Sequence, residues 1–224
     1  MENYTLFITS NLEKDHPFIV KLEDKGINFY AASLLNFNPI PFKNDWKGDW
    51  YFFYSKNGIQ YFFDQEKHRN DKKYAVIGSA SADFFEEKTG YSVDFCGTGQ
   101  IEETAMQFLK VAKDKQTIFV RGNKTKNSIQ RVLEKQMQTS ELVVYDNLIN
   151  TNFSNFTTKM ACLTSPMNAE AFYKKCHQIE CTKLFSIGPS TTAAIEALGL
   201  NVFATLAEPK IELFVEFIEK QGNL

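Results

Sequence analysis

At 224 residues, with 43% hydrophobic and 23% charged residues, the chain has the make-up of a soluble globular protein of one large or two smaller domains, which excludes disordered and collagen-like classes. A net charge of −2 argues against a surface dominated by nucleic-acid binding, and no apolar run nears the roughly 20 residues that cross a bilayer, so neither nucleic acid nor membrane is expected as a partner. Four cysteines without CxxC spacing (Cys96, Cys162, Cys176, Cys181) and the lack of a signal peptide predict a reduced, cytoplasmic setting and no metal site.

In chain order, Tyr4 to Thr9 reads as a strand, with Ser10 and Asn11 as its turn. Residues 14–25 put Phe18, Ile19 and Leu22 on one helical face, Gly26 stops that helix, and Ile27 to Leu35 reads as a second strand. NFNPIPF (37–42 with Asn36) carries two prolines and suits an extended crossing segment. Trp50 to Tyr54 is a buried strand followed by a short helix through Phe62, a charged loop over 67–73 and the strand Ala75 to Ile77. After Gly78 and its helix come a strand from Tyr91 to Phe95 and a turn, Cys96 to Gln100. Gly97-Thr98-Gly99 lacks the third glycine of a dinucleotide loop, because Glu102 stands in its place; Glu102 and Glu103 suit the first turn of a helix instead. Thr117 to Val120 ends in Arg121 and Gly122, and the loop 123–127 lacks the Gly-Lys-Ser/Thr ending of a P-loop. A helix over 128–136, a strand from Glu141 to Tyr145, a polar return crossing over 146–156, a βαβα run from Ala161 and a helix over 211–221 complete the chain.

One stretch organises the rest. In KLFSIGPSTTAAIEALG, from Lys183 to Gly199, an apolar strand stops at Gly188, Pro189 and Ser190, and Thr191 opens a helix. Such a turn aims backbone N–H groups and the positive end of a helix dipole at whatever lies before the strand, which suits a carboxylate or phosphate. Ser190, Thr191 and Thr192 are expected to cap the helix or bond an oxyanion, and Gly188 to leave room for close approach or a left-handed backbone. YAVIGSASADFFEEKTG, from Tyr74 to Gly90, repeats the pattern, with Gly78 for Gly188 and Ser81 for Thr191. Ser55 precedes Gly78 by 23 residues, and Ser165 precedes Gly188 by the same 23. The chain therefore reads as internally duplicated. Apolar strands alternating with helices imply parallel sheets covered on both faces, with ligands beyond the C-terminal strand ends; Ser10, Ser55, Gly78, Arg121, Ser165 and Gly188 are all expected there.

The paired motifs YSKNGIQYFF…VIGSASADFFEEKTG and LTSPMNAEAFY…SIGPSTTAAIEALG, with FVRG and VVY between them, resemble the uroporphyrinogen-III synthase family over most of the chain. The resemblance implies two flavodoxin-like, three-layer α/β/α domains with parallel sheets, joined by a two-stranded linker. One domain is 1–36 with 157–224, the other 43–145, and the crossings are 37–42 and 146–156. It also implies a monomeric, cofactor-free cyclase acting on hydroxymethylbilane, a linear tetrapyrrole with eight carboxylates. Loss of the terminal hydroxyl as water gives an azafulvene, and attack at the substituted carbon of ring D passes through a spiro intermediate that inverts the ring.

By the same resemblance Tyr145 is the candidate catalytic residue, donating a proton to the leaving hydroxyl; the alternatives are a residue that only positions substrate and a plain strand tyrosine at a domain edge. Ser10, Ser55, Gly78, Ser81, Arg121, Gly122, Thr164, Ser165, Gly188, Ser190 and Thr191 are candidates for substrate binding. Arg121 is expected either to meet a substrate carboxylate or to be a solvated loop arginine. His16, His68 and His177 read as surface residues. A two-domain binding or sensor protein, and a glycosyltransferase-like enzyme, share enough of these features to stand as alternatives.

Overall fold

A computed structural model describes residues 2–125, 128–150, 152–208 and 210–220. It is a mixed α/β structure with a five-stranded and a six-stranded sheet. The chain divides into two compact units, Met1–Asn36 with Leu148–Leu224, and Phe37–Asn147.

The first unit contains β1 (Glu2–Ile8), α1 (Pro17–Asp24), β2 (Phe29–Ala31), β9 (Phe156–Leu163), α6 (Pro166–Lys174), β10 (Ile179–Ser186), α7 (Pro189–Ala197), β11 (Ala204–Thr205), a 3-10 turn (Ile211–Leu213) and α8 (Phe214–Lys220). Its sheet runs β11-β10-β9-β1-β2, and every one of these neighbouring pairs is parallel. Alternation along β1 explains the two-sided burial. Leu6 and Ile8 join Phe18 and Leu22 of α1 and Phe214 and Ile218 of α8 on one face. Phe7 points the other way into an aromatic group with Tyr30, Phe153 and Phe156. Burying the Phe7 and Phe156 rings contributes about 1.5–3 kcal/mol each relative to exposure.

The second unit contains β4 (Trp50–Phe53), α2 (Lys56–Phe63), β5 (Lys73–Val76), α3 (Ser79–Thr89), β6 (Phe95–Cys96), α4 (Ile101–Ala112), β7 (Thr117–Gly122), α5 (Ser128–Leu133) and the greater part of β3 (Leu35–Pro39) and β8 (Thr139–Ile149), whose outer ends cross its boundaries. Its sheet order is β3-β8-β7-β4-β5-β6, with parallel pairing from β8 through to β6. Trp50, Phe52 and Phe119 pack with Phe108 of α4 and Leu133 of α5, whereas Tyr51, Phe53 and Val76 pack with Phe62 of α2 and Phe85 of α3. Helices therefore cover both faces.

Several boundaries differ from the sequence expectation, each for a local reason. The second strand ends at Ala31: Ala32 N–H still donates to the Ile8 carbonyl at 3.0 Å, and beyond it side chains take over, Asn11 Oδ1 accepting from Ser33 N–H at 2.8 Å and Asn168 Oδ1 from Leu34 N–H at 3.0 Å. The segment expected to be a crossing forms β3, with Pro39 at its end where no ladder donor is lost. The strand expected to end at Tyr145 runs on to Ile149. Between Tyr91 and Phe95 only Phe95 is in a strand, since the Asp94 carboxylate accepts the Tyr74 N–H at 2.9 Å where a ladder carbonyl would otherwise serve. Helix α7 begins at Pro189 rather than Thr191, a proline at the first helical position having no N–H to leave unpaired. The P-loop comparison partly fell on Lys126 and Asn127, and the end of the C-terminal helix on Gln221; these lie outside the described residues.

Candidate active site

In the first unit, Ile8 lies in register with Cys162, and Cys162 with Phe185, so the turns after β1, β9 and β10 sit side by side. Ser10, Thr164, Ser165, Gly188, Ser190 and Thr191 are thereby gathered along one sheet edge. Thr9 and Thr164 lock the first two turns: Thr164 N–H donates to Thr9 Oγ1 at 2.9 Å, and Thr164 Oγ1 donates to the Thr9 carbonyl at 2.7 Å. Ser165 is the N-cap of α6, its oxygen accepting the Asn168 N–H and side-chain amide, each at 3.1 Å. With both lone pairs engaged, the Ser165 hydroxyl has only its proton to offer a ligand. Ser10 is half-buried in its turn.

The Gly188 turn corrects the expected capping. The N-cap is Gly188 itself, without a side-chain cap bond, and its carbonyl accepts the Thr191 and Thr192 N–H groups at 3.0 and 3.1 Å. Its φ of 176° is extended, so the turn does not use a left-handed backbone. Ser190 is exposed, whereas Thr191 is buried. Thr192 closes a ring of hydroxyls that sequence spacing did not suggest: its Oγ1 lies 2.7 Å from Thr205 Oγ1, Ser186 Oγ donates to Thr205 Oγ1 at 3.1 Å, and Ser186 and Thr192 bond each other.

In the second unit, Phe53 lies in register with both Val76 and Val120, bringing Ser55, Gly78, Ser81, Arg121 and Gly122 to one edge. Ser55 is the N-cap of α2 and accepts the Gly58 N–H at 3.1 Å. Gly78 has φ −173°, and its carbonyl accepts the Ser81 and Ala82 N–H groups at 3.0 and 3.2 Å. Ser81 is buried. Tyr145 stands opposite Gly122 in the ladder, beside a register shift. Its ring is buried, stacked on Tyr61 at 5.4 Å and edge-on to Phe37 at 5.9 Å, and its hydroxyl lies 3.2 Å from Ser55 Oγ. A side chain at Gly122 would collide with that ring. Beside Ser55, the Tyr54 hydroxyl accepts the Gln130 N–H at 2.9 Å, and burial pushes this phenol up to about 12, so it stays neutral.

Arg121 is engaged within the chain. Its Nε donates to Glu141 at 2.8 Å, and its NH1 donates to the carbonyls of Gly122 and Asn123 at 2.9 Å each, so the guanidinium serves to hold the loop after β7. Gly97 is explained by packing: a Cβ there would run into the Thr104 side chain and the Ile77 carbonyl. Two histidines are more engaged than a surface reading allows. His16 caps α1, Nδ1 accepting the Phe18 N–H at 3.2 Å, and His68 stacks on Tyr91 at 3.9 Å. His177 is exposed. Among the described residues no three His, Cys, Asp or Glu side chains are grouped to hold a metal ion, and no helix is long and apolar enough to cross a membrane.

Two contributors were missed in the sequence. Asn168 carried a signal, since Ser165-x-x-Asn168 has the spacing of a helix N-terminal capping pair. The Ser186–Thr192–Thr205 ring carried none, because Thr205 arrives from a strand 13 residues beyond Thr192.

The family model described as uroporphyrinogen-III synthase HemD matches residues 17–216. No curated protein matches the sequence. The uroporphyrinogen-III synthetase of Helicobacter pylori 26695 has a similar structure, with a TM-score of 0.72, 14% identity and coverage of 99% of this chain and 100% of that one. A mutant uroporphyrinogen III synthase from the extremely thermophilic bacterium Thermus thermophilus superposes with a TM-score of 0.62 at 11% identity, covering 96% of this chain and 98% of the other. At these identities the structural likeness speaks for the fold, and the family match, which spans most of the 224 residues, speaks for descent: the chain belongs to the uroporphyrinogen-III synthase family.

Proposed function

We propose that this chain is a uroporphyrinogen-III synthase that closes hydroxymethylbilane to uroporphyrinogen III, inverting ring D and releasing water, as a cofactor-free cyclising hydro-lyase of tetrapyrrole and heme biosynthesis. The observation that carries this reading is the family match over residues 17–216. Local geometry supports it. The substrate carries many carboxylates, and each unit gathers hydroxyls and a helix N-terminus along the C-terminal edge of a parallel sheet, where fixed N–H dipoles favour anions. Positioning supplies most of the rate effect, and a proton donor for the departing hydroxyl supplies the rest.

In this reading Tyr145 donates that proton. Ser10, Thr164, Ser165, Gly188, Ser190 and Thr191 in one unit, and Ser55, Gly78, Ser81 and Gly122 in the other, bind and orient substrate, while Arg121 holds the Gly122 loop. The chain works as a cytoplasmic monomer. Its two units are internally duplicated, flavodoxin-like, three-layer α/β/α domains: 1–36 with 157–224, and 43–145, with 37–42 and 146–156 as a two-stranded linker. The shared spacing from Ser55 to Gly78 and from Ser165 to Gly188, and the like backbone of the two glycine turns, support that duplication.

The test is to supply enzymatically generated hydroxymethylbilane and to separate the uroporphyrinogen isomers. Type III should predominate. Type I alone, formed at the spontaneous rate, would refute the proposal.

A further inference from the structure

Tyr145 and Ser55 are 90 residues apart in sequence, yet their hydroxyl oxygens lie 3.2 Å apart, and either could be the donor. The direction of this bond decides what the phenol can offer a substrate. Ser55 is fixed as the N-cap of α2, where its oxygen accepts the Gly58 N–H at 3.1 Å. That leaves Ser55 Oγ one proton and one lone pair. Tyr145 is held just as firmly: Tyr61 stacks on one face of its ring, Phe37 meets it edge-on, and Gly122 leaves the space the ring fills. Tyr61 is itself anchored, its hydroxyl donating to the Phe37 carbonyl at 2.9 Å. The phenol oxygen therefore has little freedom to leave Ser55.

A phenol that donates to Ser55 has spent its proton. A phenol that accepts from Ser55 keeps its proton for something else. We infer that Ser55 is a positioning residue that donates its hydroxyl proton to Tyr145 Oη, and so turns the phenolic proton toward the departing hydroxyl of the substrate. The inference rests on the reading of Tyr145 as the proton donor, and it replaces direct substrate binding as the role of Ser55. In the step concerned, the C–O bond of the hydroxymethyl group breaks, its oxygen takes the Tyr145 proton and leaves as water, and the pyrrole nitrogen lone pair fills the electron deficit at carbon. The phenolate left behind keeps the hydrogen bond from Ser55. It regains a proton when the free ring D carbon, after closure, loses its own.

Substitutions at Ser55 separate this role from helix capping, because a cap needs an acceptor and the inferred role needs a donor. Ser55→Ala should lower kcat about tenfold or more with KM changed by less than about twofold, as expected when an interaction made in the transition state is lost. Ser55→Thr keeps both functions and should restore kcat. Ser55→Asp keeps the cap but offers only acceptors and claims the phenolic proton, so its kcat should fall below that of Ser55→Ala while its melting temperature stays near that of the native protein.

If Ser55→Asp instead recovers the activity lost in Ser55→Ala, capping explains the residue and the inference is overturned. Tyr145→Phe tells the two ideas apart. A slow Tyr145→Phe beside fully active Ser55→Ala and Ser55→Asp variants sinks the inference alone. A Tyr145→Phe variant with native turnover and isomer ratio removes Tyr145 as donor, and the inference with it.

Discussion

The Gly78 and Gly188 turns have nearly the same backbone on different supports. Each glycine is extended, with φ −173° and 176°, and each carbonyl accepts two N–H groups from the first turn of its helix at 3.0–3.2 Å. Behind Gly188, Ser186, Thr192 and Thr205 form the hydroxyl ring. Behind Gly78, Val76 and Ala82 occupy the places of Ser186 and Thr192, and the third position, Cys96, which pairs with Val76 as Thr205 pairs with Ser186, is exposed. The backbone of such a turn is set by its own hydrogen bonds, and what lies behind it can be either apolar or polar. The polar version is directional, because each hydroxyl depends on its neighbours, whereas the apolar version only fills space.

The severest way to break the comparison is to separate the elements that carry it. β9 lies between β1 and β10 in one sheet, and β7 between β4 and β8 in the other, so a fragment of residues 1–113 loses the middle of both sheets. It should fail to unfold cooperatively in urea and should expose unpaired strand edges. A monomeric fragment with a sharp transition would overturn this topology.

Next in size is Gly122→Ala. The added methyl meets the Tyr145 ring, which Tyr61 and Phe37 prevent from swinging aside. Overpacking of this kind costs about 1–3 kcal/mol, measurable as a lower urea midpoint at unchanged slope. No such loss is expected from a methyl at Gly78, where the nearest atoms are 3.5 Å away. Equal effects at the two glycines would show that the Tyr145 ring is not confined.

The hydroxyl ring permits a sharper test. Thr192→Ala removes one of its members and should destabilise the chain by about 1 kcal/mol, since Ser186, fully buried, is left with fewer partners. Combining it with Ser186→Val and Thr205→Cys copies the backing of Gly78 and should recover most of that loss, because an apolar set leaves fewer polar groups unpaired. Chemical denaturation of the single and triple variants decides. A triple variant less stable than Thr192→Ala would mean that the two turns are not interchangeable.

How far the sequence revealed this molecule follows from the range of each interaction. The glycine turns, the apolar strands and the serine caps are written in neighbouring residues, and Ser55 and Ser165 could be placed at helix starts from their flanks alone. Prolines and asparagines around residue 39 concealed β3, since they argue against a strand unless it is known to end there. The short β2 was hidden because Asn168, far away in sequence, accepts the Leu34 N–H that would have continued its ladder, while Asn11 takes the Ser33 N–H. The Tyr145–Ser55 contact was hidden for the same reason, joining strands that become neighbours only through β7. Arg121 was identifiable as a residue at a strand end, but not its partner, because Glu141 comes from the adjacent strand.

The smallest expected effect on stability is also the one that tests function most directly. An extended φ suits any residue, so Gly188→Ala and Gly78→Ala carry no backbone strain, and Gly78→Ala, whose added methyl has its nearest neighbours at 3.5 Å, should change stability by less than about 0.5 kcal/mol. If the turns bind substrate carboxylates through their N–H groups, however, a methyl at the glycine stands where the carboxylate must approach. KM should then rise while the fold is untouched, because the lost contact serves the bound substrate and the transition state alike. The two sites need not respond equally. Thr191 and Ser81 both lie buried behind their turns, but the helix after Gly188 starts with Pro189, which offers no N–H, whereas the helix after Gly78 starts with Ser79, which does. The Gly78 turn thus has one more donor for an anion, and Gly78→Ala should raise KM more than Gly188→Ala. Steady-state kinetics on both variants at matched folded concentration measure this. Unchanged KM in both would leave the two turns as supports for their helices only.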